Sequence, residues 1–175
     1  MAMLEIKYRE IDSPIGKFMI GATDKGCSMS EFADRGGFER INTRIKKRFN
    51  ADLIPGNNSF IDQMEEEFNL YFEKKIKSFK TPLDYKGTPF QMSVWQELLK
   101  IPYGETRSYG DIAKNLGKPG AMRAVGKANG DNYLPIVIPC HRVIDSAGKL
   151  HGYGGGLWRK KYLLELESNN LSLFK

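Results

Sequence analysis

A cysteine, a histidine and an arginine follow one another at positions 140–142 of the chain. The nucleophilic form of cysteine is the thiolate, and nearby positive charge lowers the pKa of the thiol. We therefore predict that Cys140, beside His141 and Arg142, is a reactive nucleophile, with inert packing as the alternative. Cys27 is predicted to be a buried packing residue.

A cysteine nucleophile needs a base that takes its proton, and His141 is the main candidate. Adjacent side chains on an extended segment point apart, so we expect His141 to reach the thiol through a water or an irregular backbone. A carboxylate that orients the imidazole would complete the set. Asp145 and Glu167 are both candidates, and their spacing does not choose between them. His151 is expected to be an exposed loop residue.

The small number of cysteines and histidines excludes several classes of protein. The 175 residues contain two of each, with no CxxC or HxxxH pair, so we expect no structural zinc site. Two cysteines far apart in the chain form no disulfide framework and suggest a reducing compartment.

No apolar run approaches the roughly 18 residues of a membrane span, and the N-terminus does not resemble a signal peptide.

The positive charge is concentrated in the second half. The whole chain has 27 Lys and Arg against 21 Asp and Glu, a net charge of +6. Residues 91–175 carry 12 basic and 7 acidic side chains, whereas residues 1–90 carry 15 and 14. This asymmetry is typical of a protein with an anionic partner for one part only, although solvated surface lysines would give the same count.

The elements of the first half are predicted to be three strands followed by two helices. Alternation begins near Ile6, and further strands are predicted over 15–22 and 27–32. Helical spacing predicts helices over 38–49 and 59–79. The segment 80–87 contains Pro and Gly and is the best candidate for a linker.

The second half is predicted to contain a helix-turn-helix. Thr88 is expected to cap a helix that starts at Pro89. Ser108 is expected to cap a second helix to about Leu116, and a tight turn over 117–120 leads to a third helix over 121–129. A last amphipathic helix is predicted over 157–167, after a glycine-rich loop.

The ordered motifs of this half resemble those of the O6-alkylguanine-DNA alkyltransferases, also called methylated-DNA–protein-cysteine methyltransferases. The match covers roughly residues 89–167, and it is carried by the following segments: Phe90-Gln91 to Trp95, Ile101-Pro102-Tyr103-Gly104, Ser108-Tyr109, Arg123-Ala124-Val125-Gly126, Asn132 and Ile138-Pro139-Cys140-His141-Arg142-Val143. The first half is similar to the family only in outline.

The resemblance implies a fold and a domain division. It implies an α/β (α+β) protein with a small ribonuclease-H-like supporting domain, containing a three-stranded sheet and helices, over residues 1–83. A mostly helical DNA-binding alkyltransferase domain with a winged-helix-like helix-turn-helix would occupy residues 84–175. We expect a monomer without cofactor, metal or membrane contact. Its expected location is the cytoplasm, at the nucleoid in a prokaryote, or the nucleus in a eukaryote.

The resemblance also implies a reaction. An alkyl group passes irreversibly from O6-alkylguanine in double-stranded DNA to Cys140, with O4-alkylthymine as a further candidate substrate, after the base is flipped out from the minor groove. His141 would take the thiol proton through a water, and Glu167 would orient His141. Tyr109 would donate a proton to the departing guanine, and Asn132 would brace the region around the cysteine.

Two further sets of residues follow from the same resemblance. Arg123 would fill the gap left by the flipped base, and the other predicted DNA contacts are Ser108, Ala121, Ala124, Gly126, Lys127 and Arg142. The predicted lining of the alkyl pocket is Tyr109, Val143, Tyr153, Gly154 and Gly155. Gly154 and Tyr133 depart from the family pattern, in which Ser and Pro are common at these positions.

Two other classes of function compete with this interpretation. A regulator with a helix-turn-helix would explain the basic second half but not the segment 139–143. A hydrolase with a Cys/His pair would explain the reactive cysteine, and it predicts steady turnover instead of one reaction per molecule.

Overall fold

The computed structural model describes residues 4–150 and 152–168, and the chain divides into two compact units after Lys86. His151 lies outside the described residues. The division falls three residues after the predicted boundary, because the segment beyond residue 83 still pairs with the first unit. The backbone N–H of Asp84 donates to the carbonyl of Cys27 at 2.9 Å, and Leu83 forms a parallel bridge with Cys27.

The first unit is a four-stranded sheet with two helices. In chain order its elements are β1 (Leu4–Ile11), β2 (Phe18–Ala22), β3 (Cys27–Phe32), α1 (Gly37–Phe49), β4 (Ala51–Pro55) and α2 (Ser59–Phe72). The strand order is β3-β2-β1-β4, with β4 parallel to β1 and the other pairs antiparallel. The mixed α/β class agrees with the prediction.

The prediction of three strands was wrong, because β4 completes the sheet at its edge. This strand begins immediately after α1, where Asn50 adopts a left-handed conformation with φ of 50° and ends the helix. Five residues directly after a helix give little alternation to detect, and the pairing with β1 depends on contacts distant in sequence.

The helix predicted over 59–79 ends at Phe72. Lys74 has φ of 61°, so the chain leaves the helix there and turns back. Phe79 then packs against Phe68 and Tyr71, with ring centroids 5.3 and 5.5 Å apart. The apolar residues beyond the helix therefore belong to the same core, which explains why their spacing imitated a longer helix.

The second unit is mainly helical. Its elements are α3 (Pro89–Leu99), β5 (Arg107–Ser108), α4 (Tyr109–Asn115), α5 (Met122–Gly130), a 3₁₀ turn (Cys140–Arg142), β6 (Val143–Ile144) and α6 (Leu157–Glu167). Thr88 caps α3 in a capping box with Gln91, and Pro89 is the first helical residue, as predicted. Helices α4 and α5 contact each other and form the predicted helix-turn-helix.

A short parallel pair of strands connects distant parts of this unit. Arg107 pairs with Val143 and Ser108 with Ile144. This pairing was not predicted, because two-residue strands leave no periodic pattern in a sequence. It brings the start of α4 next to the segment that follows Cys140, and so it determines the position of the candidate site.

Candidate active site

Cys140 begins the 3₁₀ turn, and all three residues of that turn are buried. Only 5% of the surface of Cys140 is exposed to solvent. The turn contacts both α3 and α6. The backbone of this 3₁₀ turn is irregular. An irregular backbone was one of the two arrangements by which His141 was expected to reach the thiol.

The imidazole of His141 is oriented by Glu167, at the end of α6. Its Nε2 lies 3.0 and 2.9 Å from the two carboxylate oxygens of Glu167. The carboxylate of Asp145, the other candidate, accepts a hydrogen bond from the backbone N–H of Lys149 at 2.6 Å. The structure therefore joins Glu167, rather than Asp145, to the histidine.

The hydrogen bond to Glu167 determines which nitrogen of His141 can act as a base. A carboxylate only accepts hydrogen bonds, so Nε2 carries the proton and Nδ1 has the free lone pair. Nδ1 is buried and has no hydrogen-bond partner among the described residues. Burial lowers the pKa of His141 below its ordinary value against the opposing effect of Glu167, so the ring is neutral at pH 7 and Nδ1 is able to accept a proton.

Glu167 is itself held as a carboxylate in the interior. Burial raises its pKa, but His141 and the guanidinium of Arg142 together lower it to about 2. Nε of Arg142 donates to Oε1 at 2.7 Å, and Nη2 donates to Oε2 at 2.9 Å. One carboxylate therefore holds two consecutive residues of the turn.

Arg142 does not occupy the position expected for a DNA contact. Its side chain is buried, and Nη1 donates to the carbonyl of Ile101 at 2.7 Å while the other nitrogens bond Glu167. The prediction that Arg142 contacts DNA is therefore corrected. The turn directs this side chain inward to α6, where it neutralises the buried carboxylate.

Two buried asparagines brace the chain before the cysteine. Asn132 donates from Nδ2 to the carbonyl of Ile138 at 2.9 Å and accepts from the backbone N–H of Leu134 at 2.9 Å. Asn129 donates to the carbonyl of Cys140 at 3.3 Å and was missed from the sequence. Ile136, between the two partners of Asn132, has φ of 75°, a strained conformation for a β-branched residue. Asn132 thus holds the backbone on both sides of this strained residue.

Tyr109, the first residue of α4, is close to the cysteine because β5 pairs with β6. Burial raises the pKa of its phenol, and the nearby Cys140 and Asp145 raise it further. The phenol therefore keeps its proton at pH 7 and can donate it. A Cβ added at Gly126 of α5 would lie 3.8 Å from the Tyr109 ring, so α5 passes close to this side chain.

Helix α5 carries most of the predicted DNA contacts on one exposed face. Arg123, Ala124 and Lys127 are exposed, whereas Ala121 and Gly126 are half-buried. Val125, Ala128 and Asn129 face the interior. The predicted contact Ser108 is half-buried, and its hydroxyl oxygen caps α4 by accepting from the N–H of Asp111 at 3.0 Å.

The predicted pocket residues lie in different environments. Val143 is fully buried, Tyr153 is half-buried, Gly154 is exposed and Gly155 is buried. The carbonyl of Gly155 accepts a hydrogen bond from Nη1 of Arg159 at 3.1 Å, which ties the glycine loop to α6.

Lys160 was also missed, although its spacing contained a signal. Residues 160, 163, 164 and 167 are three or four apart and therefore share one face of α6. That face contains two leucines, so the lysine and the glutamate on it are also buried. A charged residue in the apolar stripe of a helix indicates a polar site in the interior.

Residues 4–150 and 152–168 contain no group of three or more His, Cys, Asp or Glu side chains that could hold a metal ion. Over the same residues, no helix is both long enough and apolar enough to cross a membrane. Cys27 is completely buried, and burial raises the pKa of its thiol to about 12.

Comparison with known proteins identifies the family. Residues 89–169 match the family model described as 6-O-methylguanine DNA methyltransferase, DNA binding domain. A methylated-DNA–protein-cysteine methyltransferase of Mycobacterium tuberculosis is 46% identical over 173 residues, 97% of this chain and 99% of that protein. The chain belongs to this family. A methylated-DNA–protein-cysteine methyltransferase from Methanosarcina barkeri is also 46% identical, over 94% of this chain and 98% of its own.

Solved structures of this methyltransferase family extend the likeness to the whole fold. The crystal structure of Mycobacterium tuberculosis O6-methylguanine methyltransferase matches with a TM-score of 0.79 and 43% identity, over 96% of this chain and 98% of that one. The crystal structure of Mycobacterium tuberculosis OGT in complex with DNA matches with a TM-score of 0.79 and 43% identity, over 96% of this chain and 94% of that one. O6-methylguanine-DNA methyltransferase of Pyrococcus kodakaraensis matches with 0.68 and 31% identity, over 93% and 98% of the two chains.

Proposed function

We propose that this methyltransferase repairs double-stranded DNA by transferring the alkyl group of O6-alkylguanine to Cys140 in one irreversible step. The observation that carries the proposal is the buried turn in which Cys140 precedes His141, whose imidazole is bonded to Glu167. Relatives that are similar over nearly the whole chain are named for the same reaction, and one was crystallised with DNA.

The reaction balances with groups that the chain itself provides. His141 takes the thiol proton at Nδ1 through a water, and Glu167 stabilises the imidazolium that forms. The thiolate sulfur attacks the alkyl carbon while the carbon–O6 bond breaks, and its electron pair remains on guanine. Tyr109 donates a proton to the departing base. The thioether on Cys140 is not hydrolysed, so each molecule reacts once.

The target base must leave the duplex because its O6 lies inside the stack. The exposed face of α5 would enter the minor groove, where small residues such as Ala124 allow close approach to the backbone. Arg123 would occupy the space left by the base, and Lys127 would contact phosphate. Tyr153 and the backbone of Gly154 and Gly155 would line the alkyl pocket.

The rest of the proposal concerns the state of the protein. The first unit serves as a supporting domain for the alkyltransferase domain, and the protein acts as a monomer. Its location is the cytoplasm, at the nucleoid in a prokaryote, or the nucleus in a eukaryote. O4-alkylthymine is a second candidate substrate.

Intact mass spectrometry after incubation with an O6-methylguanine duplex tests the reaction. We expect one added methyl group, mapped to Cys140, and methylguanine consumption equal to the protein added. Cys140→Ala should gain no mass. A burst followed by steady turnover would instead indicate a hydrolase, and DNA binding with no added mass would indicate a regulator.

The role of Arg123 has its own test. Arg123→Ala should slow reaction with a methylated duplex more than reaction with free O6-benzylguanine, because only the duplex requires base flipping. Equal slowing of both reactions would remove this role.

A further inference from the structure

The proposed mechanism leaves one polar atom beside the reactive turn without a role. Asn129 lies on the inner face of α5, and only 3% of its surface is exposed. Its Nδ2 donates to the carbonyl of Cys140, whereas its Oδ1 is buried and has no hydrogen-bond partner within residues 4–150 and 152–168. A buried acceptor without a donor is costly, so this oxygen calls for an account.

The orientation of the Asn129 carboxamide is determined by its bond to the turn. Exchanging its two terminal atoms would place an amide oxygen against the carbonyl oxygen of Cys140 at 3.3 Å, and two acceptors do not bond each other. Oδ1 shares its carbon atom with Nδ2, so it also lies close to the first residue of the turn. It is therefore an acceptor beside the residue that carries the nucleophile.

A second buried acceptor belongs to the next residue of the same turn. Nδ1 of His141 has no hydrogen-bond partner in the part of the chain that the structure describes, and His141 is 0% exposed. Nδ1 carries the free lone pair because Nε2 donates to Glu167. One acceptor on α5 and one on the turn thus belong to residues that are bonded or adjacent to Cys140.

One water molecule matches this set of atoms. A water has two hydrogens to donate and an oxygen that accepts, and a buried water typically makes about three hydrogen bonds to polar groups that otherwise lack partners. With its hydrogens directed to Oδ1 of Asn129 and Nδ1 of His141, its lone pairs face the thiol hydrogen of Cys140. An apolar side chain at position 129 would leave one of these hydrogens without a fixed direction.

We propose that Asn129 is a positioning residue for alkyl transfer: its Oδ1 and Nδ1 of His141 hold one buried water whose oxygen faces the Cys140 thiol. The inference rests on the proposed function, in which a water carries the proton from Cys140 to His141. The thiol proton passes to the water oxygen while the water gives its other hydrogen to Nδ1. The water then donates the hydrogen that it received to the thiolate sulfur, and its bond to Asn129 is unchanged. A neutral thiol and a neutral imidazole become a thiolate and an imidazolium, so atoms and charges balance.

A high-resolution crystal structure of the unalkylated protein tests the position of the water directly. We expect an electron-density peak within hydrogen-bond distance of both Oδ1 of Asn129 and Nδ1 of His141. The peak should be lost or displaced in crystals of Asn129→Leu. A peak bonded to His141 alone, or no peak at a well-ordered site, would overturn the inference.

The effect on the thiol is measured without DNA. The rate of alkylation by iodoacetamide, mapped to Cys140 by peptide mass between pH 5 and about 10, follows the thiolate fraction. Cys27 is silent in this range because its pKa is about 12. Asn129→Leu keeps the size of the side chain and removes the acceptor. Asn115→Leu is the matched control, since Asn115 is exposed at the end of α4.

We expect Asn129→Leu to raise the pKa of the Cys140 thiol by about one, which lowers the alkylation rate near pH 7 about tenfold. The deficit should disappear near pH 10, where the thiol is ionised in both proteins. Asn129→Ser keeps an oxygen acceptor and should recover part of the rate, and Asn115→Leu should behave as the parent. Tryptophan fluorescence should establish that each variant is folded.

The other titratable groups around the turn are the same in the parent and in these variants. They are Arg142 on the turn, Lys160 and Glu167 on α6, Tyr109 on α4, and Asp145 after β6. A shift in the thiol pKa of Asn129→Leu is therefore assigned to the lost acceptor.

A double-mutant cycle separates the shared water from simple packing. Because Asn129 and His141 act through the same water, Asn129→Leu should slow alkylation near pH 7 in the parent but add little to the effect of His141→Gln. Independent effects of the two substitutions would contradict a shared water. The crystal structure of the unaltered protein tests the inference even where the His141 variant does not fold.

Two further results would overturn the inference. An unchanged thiol pKa in folded Asn129→Leu would remove the role of Oδ1. A deficit of equal size at every pH would indicate that Asn129 only braces the carbonyl of Cys140. Failure of the proposed function is distinguishable, because the parent would then show the water and titrate normally with iodoacetamide yet gain no methyl group from damaged DNA.

Discussion

Replacing Glu167 by glutamine should destabilise the second unit and make its stability less sensitive to acid. The carboxylate is 6% exposed and bonds both His141 and Arg142. Glutamine has nearly the same shape but no charge, so the guanidinium of Arg142 would remain buried without its counterion.

The magnitude follows from the pKa of Glu167. A carboxyl with an ordinary value of 4.5 and a folded value of about 2 gains about 3 kcal/mol of stability at neutral pH. This value agrees with the cost of breaking a buried ion pair by removing one partner, which is about 3–5 kcal/mol. Because the folded pKa is lowered, this stability is fully present above about pH 4.5 and is lost as the pH falls towards 2.

Urea unfolding, monitored by tryptophan fluorescence, measures this change in the free energy of unfolding directly. Both tryptophans, Trp95 and Trp158, lie in the second unit, so the signal reports on that unit. The matched control is Glu165→Gln on the same helix, whose 3.8 Å contact with Lys161 is partly exposed. The control should lose less than about 1 kcal/mol.

The expected result is a loss of about 3 kcal/mol for Glu167→Gln at pH 7, and a gap to the parent that narrows between pH 4.5 and 2. A loss below about 1 kcal/mol at pH 7, or a gap independent of pH over that range, would refute the assignment of Glu167 as a paired buried carboxylate.

Three further expectations follow from the site and its supports. The rate of alkyl transfer should persist as the pH falls below 6.5, because burial lowers the pKa of His141; an acid limb at or above 6.5 would contradict a neutral, buried base. Thr88→Ala should lower the free energy of unfolding by about 1 kcal/mol without changing the rate of Cys140 alkylation, since Thr88 only caps α3. A thermal melt measures the stability and a mass assay measures the rate. An altered rate would link α3 to the chemistry. Affinity for duplex DNA should fall steeply as the salt concentration rises, and this dependence should be shallower in Lys127→Ala. Binding isotherms at several salt concentrations test the expectation. An affinity that does not change with salt would contradict phosphate contacts.

The sequence was most informative where a local rule determines the structure. The capping box at Thr88 and the cap at Ser108 depend on residues three apart, so both helix starts were predicted. Strand β4 and the β5–β6 pair depend on partners tens of residues away, and neither was predicted.

The candidate site also combines features that are visible in the local sequence with features that depend on distant contacts. Cys140 and His141 stand out as neighbours in the chain, whereas the choice between Asp145 and Glu167 required either family resemblance or the fold. Arg142 was assigned to DNA with the other contacts that the resemblance implies, and only its bond to Glu167 on α6 shows that its side chain points inward. Lys160 was detectable in principle, since it lies on the apolar stripe of α6.

The contacts of Arg142 have a consequence for biosynthesis. Its guanidinium joins Ile101, 41 residues earlier, to Glu167, 25 residues later. These bonds form only when three separated parts of the second unit have come together. In a partly folded chain His141 lacks its orienting carboxylate, and the thiol behaves as an ordinary cysteine. Under the proposed single reaction per molecule, a chain that is still folding would therefore be spared, because its thiol has no oriented base beside it.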